Sequence, residues 1–132
     1  MINTSQIRES VAAICRKFGE EYWRDLDKKK KYPTAFVKEM TTSGFLNILI
    51  PQEYGGAGLG LKEACVVLEE ISLQGAHAGA CHAQMYVMGT LLRHGSERQK
   101  KEFLPKISSG ELRLQSFAVT EPNSGTDTTS IK

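Results

Sequence analysis

Clustered metal ligands are missing from this chain. Its three cysteines, Cys15, Cys65 and Cys81, lie far apart, and neither a C-x-x-C pair nor an H-E-x-x-H run occurs among the cysteines and the histidines at 77, 82 and 94. Those spacings are what a zinc site needs, so no metal ligand is assigned. An odd number of thiols, each among apolar residues at helical spacing, reads as three reduced core residues rather than a disulfide framework. No apolar run approaches the about 20 residues of a membrane span, and "MINTSQIRESV" lacks the basic-then-apolar order of a secretion signal. The expected compartment is cytoplasmic. An excess of charge of one sign is lacking too: 17 basic against 15 acidic side chains leave +2, which gives no electrostatic reason for a nucleic-acid partner. Lys28 to Lys31 concentrate the basic excess and read as a solvated loop between helices.

What is present is mostly helical periodicity, over a length of 132 residues that suits one domain with a real core. Ile7, Val11, Ile14, Cys15 and Phe18 recur at steps of three and four, a helix capped near Thr4 or Ser5. Pro33 suits a first helical position, with Phe36, Val37 and Met40 on one face and Gly44 closing the helix. In "FLNILIPQEYGGAGLG" four glycines fall within six residues, but Leu61 breaks the G-x-G-x-x-G spacing and no G-K-S/T follows, which argues for a loop rather than a dinucleotide cradle. Leu61, Ala64, Cys65, Leu68 and Ile71 then draw an apolar stripe opposite Lys62, Glu63, Glu69 and Glu70.

From about His77 to Arg93, small residues (Ala78, Gly79, Ala80, Ala83) share a helix with Met85, Tyr86, Met88 and Leu91. Such a helix is expected to be buried on more than one side, packed tightly against another or bordering a cavity. His82 is expected there as a hydrogen-bonded buried histidine. Ser96 and Gln99 form a capping box for a last helix, which Pro105 should perturb. Leu112 to Val119 read as the one convincing strand. A lone strand cannot satisfy its own backbone, so it requires a sheet supplied by a second copy or by residues past Lys132. It delivers "TEPNSGTDTTS", whose hydroxyls and free N–H groups suit an anionic or carbonyl-rich ligand or, equally, a turn that bonds its own backbone.

Three segments resemble the acyl-CoA dehydrogenase family. Ala118 to Asp127 (AVTEPNSGTD) is similar to its signature, a small and an aliphatic residue, S/T-E-P, two small residues and G-S/T-D. "IPQEYGGAGLG" (Ile50 to Gly60) resembles its P-E-x-Y-G-G-x-G-L-G loop, and "HGSERQKKEFLPKISSGE" (His94 to Glu111) its G-S/T-x-x-Q-K segment. The resemblance covers nearly the whole chain from about Arg8. It implies a mainly α fold, an up-and-down helical domain of five to six helices over 1–111, followed at 112–132 by the first strand of a truncated middle β domain.

The resemblance further implies FAD, an acyl-CoA substrate of fatty acid metabolism, dehydrogenation to a trans-2-enoyl-CoA with hydride transfer to the flavin, an electron-transfer flavoprotein as acceptor, and a dimer or tetramer. By matched position, Phe117 and Val119 stand beside the flavin ring, Thr120 at its pyrimidine edge, and Gly125 and Thr126 at the pyrophosphate. Thr126 also stands by the CoA, while His82, Ala83 and Tyr86 face the acyl chain. No residue here matches the family's catalytic glutamate; Glu121 is structural, and the chain alone is expected to be inactive. Two other readings stay open: a superfamily relative running another flavin reaction, such as acyl-CoA or nitroalkane oxidation, and a non-catalytic helical module that pairs through its exposed strand.

Overall fold

The computed structural model describes residues 3–116 and 118–132, and among them the fold is mainly α, with six α-helices. Helix α1 (Thr4–Cys15) is capped by Asn3, one residue earlier than expected: its side chain accepts from Ser5 N at 3.1 Å, and Gln6 Oε1 accepts from Asn3 N at 3.2 Å. Helix α2 (Glu20–Lys29) buries no residue fully; its short stripe of Tyr22, Trp23 and Leu26 is half-buried. It is held by Glu20 and Glu21 at the positive end of its dipole, Lys28 and Lys29 at the negative end, and the i,i+4 pairs Glu20–Arg24 and Asp25–Lys29. The tetralysine is thus a helix end before it is a loop: Lys28 and Lys29 form the last turn, and Lys30 closes it with φ 51°.

Helix α3 (Thr34–Thr42) starts one residue after Pro33 and is closed by Gly44 at φ 79°. Phe36 links α2 and α3, packing edge-on against Phe18 and Trp23 with ring centroids 5.5 and 5.0 Å apart. Helices α4 (Leu61–Leu73), α5 (Gly79–His94) and α6 (Glu97–Ser109) complete the domain. The expected capping box at Ser96 and Gln99 is present. Pro105 lies inside α6 without ending it. The hydrogen bond it forfeits to Lys101 lies on an exposed face, while Leu104 and Ile107 are fully buried and hold the turn.

Helix α1 packs on α3 and α4, and α6 packs on α3 and α5, around a core that includes Phe36, Met40, Leu46, Ile50, Val67, Ile71, Met88 and Leu104. The inner face of α4 differs from the expected stripe. Ala64, Val67 and Ile71 are buried, whereas Leu61 and Cys65 are exposed and Leu68 is half-buried. Apolar side chains at every position from 64 to 68 permit more than one stripe, and contact with α1 selects the one that also carries Glu70 inward. Glu70 is 7% exposed and is not on the polar face. It accepts from Arg8 Nη1 at 3.3 Å and from Gln74 Nε2 at 2.8 Å, so the burial of its charge is compensated. Cys15 and Cys81 are core residues as expected; Cys65 is not.

The segment 112–116 is neither helix nor part of a ladder, because the described residues supply no neighbouring strand; the one bridge among them joins Glu121 to Ser124 within a turn. No helix among the described residues is long and apolar enough to cross a membrane. The four-glycine loop folds back on the 47–50 turn, with Gly58 N on Ile50 O and Leu59 N on Ile48 O, both at 2.8 Å. Gly56 makes this possible, since a Cβ there would lie 2.1 Å from Ile50 O. Its glycines serve backbone packing. Gly56→Ala should therefore lower stability by about 1 to 3 kcal/mol through overpacking, read as a lower urea midpoint at unchanged m-value; an unchanged midpoint would contradict this contact.

Candidate functional site

Helix α5 has two unlike faces. Cys81, Gln84, Met85 and Met88 point into the core. His82, Tyr86 and Thr90 are exposed, so the expected burial on more than one side does not hold. The repeat 81, 85, 88 faces the core and the repeat 82, 86, 90 faces outward. His82 is accordingly not the buried histidine expected; it is exposed and stands edge-on to Tyr86, with centroids 5.0 Å apart at 68°. Beside this face lie two clefts. One, of about 720 Å³, is lined by Trp23, Tyr32, Gly79, Ala80, Ala83 and Gln115 among others, with Lys30 and Lys31 also on its wall. The second, of about 450 Å³, is lined by Tyr86, Val87, Thr90 and Leu91. The Cys81 thiol is no nucleophile here, because burial pushes its pKa up to about 12.

Two side chains tie the segment 112–116 to the helices. Arg113 Nη1 donates to Gln84 Oε1 at 3.3 Å and Nη2 to Thr41 Oγ1 at 3.2 Å. Gln115 Nε2 donates to the Ala80 carbonyl at 2.9 Å and to Tyr32 Oη at 2.6 Å. Leu112 and Leu114 pack against the core from the alternate positions. The alternation L-R-L-Q was a visible signal for these two residues, yet sequence reasoning read it only as strand and assigned neither a role.

Of the expected flavin-facing residues, Phe117 lies outside the described residues. Val119 is half-buried, and Thr120, Gly125 and Thr126 are exposed. Glu121 and Ser124 exchange backbone hydrogen bonds of 2.8 and 3.2 Å across the Pro122-Asn123 corner. Ser124 Oγ donates to the Asp127 carbonyl, and Asp127 accepts from Thr129 N and Oγ1 and from Ser130 Oγ. Glu121 accepts from Lys132 N at 3.1 Å. The hydroxyls of Ser124, Thr129 and Ser130 are thus occupied within the turn. The hydroxyls of Thr120 and Thr126 and the N–H groups of Gly125 and Thr126 have no partner among the described residues. Neither of these two clefts is lined by residues of this turn; the segment 112–116, bonded to α5, leads from the helices toward it.

The model of the acyl-CoA dehydrogenase N-terminal domain matches residues 3–111. The chain belongs to the acyl-CoA dehydrogenase family. It is 35% identical over 137 aligned positions to the mitochondrial isovaleryl-CoA dehydrogenase of Pongo abelii, covering 96% of this chain and 31% of that protein. An acyl-CoA dehydrogenase structure from Geobacillus kaustophilus superposes with TM-score 0.83 at 28% identity, over 97% of this chain and 34% of that one. The structure of a glutaryl-coenzyme A dehydrogenase with glutaryl-CoA gives 0.80 at 31% identity, over 99% and 35%. The chain spans about a third of the length of its acyl-CoA dehydrogenase relatives.

Hydrogen bonds from Ser130 and Thr129 hold the Asp127 carboxyl below its ordinary value of 3.8. Because the folded-state value is depressed, the turn's stabilisation is complete above 3.8 and is lost as pH falls through the lower, folded value. The Thr129 amide resonance should titrate with a midpoint below 3.8 and cease to do so in Asp127→Asn. A midpoint at or above the ordinary value would contradict the geometry.

Proposed function

We propose that this chain forms one side of a flavin and acyl-CoA site, contributing the helical domain at 1–111 and the opening strand of a middle β domain at 112–132, in an enzyme that converts an acyl-CoA thioester to its trans-2-enoyl-CoA. The observation that carries this reading is the set of unpartnered donors at Thr120, Gly125 and Thr126, held on a closed turn at the end of a segment anchored to α5. These residues fit a flavin dinucleotide. A Cβ on Gly125 would meet nothing nearer than Thr120 Cγ2 at 3.7 Å, so the backbone there is open to a large group, and two adjacent N–H groups suit a pyrophosphate.

The flavin, FAD in this reading, supplies a hydride acceptor when bound. Thr120 offers its hydroxyl to the pyrimidine edge, where negative charge accumulates on reduction. Thr126 serves pyrophosphate and CoA together, and Phe117 and Val119 line the ring. On α5, Ala83 leaves room for the acyl chain, while His82 and Tyr86 bound it. The names isovaleryl-CoA and glutaryl-CoA on its relatives support a CoA thioester as the substrate class. Electrons leave to an electron-transfer flavoprotein. No side chain of this chain is assigned as the base, and the chain by itself is inactive in this reading.

In the complete gene product loaded with flavin, Thr120→Ala should lower the two-electron potential by about 30 to 60 mV, the equivalent of one hydrogen bond to a charged group of ~1.5–3 kcal/mol. Potentiometric titration decides it. An unchanged potential would mean that Thr120 does not reach the ring, and a gene product unable to retain flavin would overturn the whole reading.

A further inference from the structure

We infer that Arg113 and Gln115 are positioning residues that set the register between the acyl-facing helix and the flavin-facing turn, an inference that rests on the reading above for its consequence in catalysis. The geometry is a two-rung attachment. Arg113 reaches Gln84 and Gln115 reaches Ala80, so the segment runs antiparallel to α5. Ala80 and Gln84 are one turn apart, about 6 Å along the helix axis. Positions 113 and 115 are two residues apart, about 6.6 Å in an extended chain. The two rises match, so both rungs form without bending either element, and a slip of one residue would break both and turn each side chain to the opposite face.

Neighbours make each rung directional. Gln84 is 1% exposed, and its Nε2 lies 3.4 Å from the Leu46 carbonyl, which turns its Oε1 toward Arg113. Thr41 donates to the Val37 carbonyl at 2.7 Å, leaving its oxygen lone pairs for the second guanidinium nitrogen. Both of these partners are neutral, and Arg113 forms no ion pair among the described residues. A fork of two fixed donors can satisfy Gln84 and Thr41 at once, whereas an ammonium can serve only one direction well. Val119 follows Gln115 by four residues in sequence, so the rungs limit where the donor-bearing turn can begin relative to α5.

The test has two arms. In this 132-residue chain, Arg113→Met and Gln115→Met should each drop the 15N order parameters of Ala118 to Thr120 from the rigid range near ~0.85 toward ~0.6, with α1 and α4 unchanged. In the complete flavin-loaded gene product, mixed anaerobically with butyryl-, isovaleryl- or octanoyl-CoA, the same variants should slow the limiting rate of flavin reduction by about 10- to 100-fold. The apparent dissociation constant should move much less, and Arg113→Lys should recover part of the rate. Unchanged order parameters in both Met variants would overturn the attachment itself. A lower melting temperature with an unchanged limiting rate would leave Arg113 merely structural and also overturn the inference. A wild-type product that holds no flavin would refute the functional reading alone, since the first arm does not depend on it.

Discussion

A non-helical segment with no strand beside it among the described residues must be held by something other than a backbone ladder, and that constraint governs this structure. From 112 to 116 the one backbone N–H with a partner among the described residues is that of Leu112, on the Lys106 carbonyl at 3.0 Å. The remaining hold is through side chains: leucines at 112 and 114 pressed on the core, Arg113 and Gln115 bonded to α3, α5 and the turn before α3. Everything proposed for the terminal turn depends on this arrangement. A turn rich in donors is of no chemical use unless its distance from the substrate wall is fixed.

The helical domain is suited to serve as that fixed body. Its core is made of aliphatic and aromatic side chains that are almost wholly buried, and the inward carboxylate of Glu70 is compensated by Arg8 and Gln74. Glycine at 56 lets the loop after Ile50 fold tightly over the core, while the outer face of α5 keeps His82, Tyr86 and Thr90 uncovered. An uncovered aromatic pair beside small residues is a poor choice for a helix that only packs. It is a reasonable one for a helix that bounds a ligand.

Much of this was legible in the sequence where one physical signal dominated. Capping boxes and positive-φ glycines placed the ends of α3 and α6, and the three family-like segments named the family that the domain match then showed. Reading failed where signals competed. Helix α2 carries only a short, half-buried stripe of Tyr22, Trp23 and Leu26, the run 64 to 68 allowed two stripes, and α5 looked buried all round because small residues share it with Met and Tyr. Within the terminal loop, composition could not tell which hydroxyls bond internally; Asp127 and Ser124 engage half of them. Arg113 and Gln115 escaped notice because a polar residue on an apolar strand reads first as its solvent face.

The most direct measurement is anaerobic addition of saturated acyl-CoA thioesters of varied length and branching to the flavin-loaded complete gene product, following the flavin's visible absorption together with the thioester's own ultraviolet spectrum. The account predicts loss of the flavin band matched mole for mole by 2-enoyl-CoA. Flavin that stays bound and oxidised with every thioester tried would contradict it.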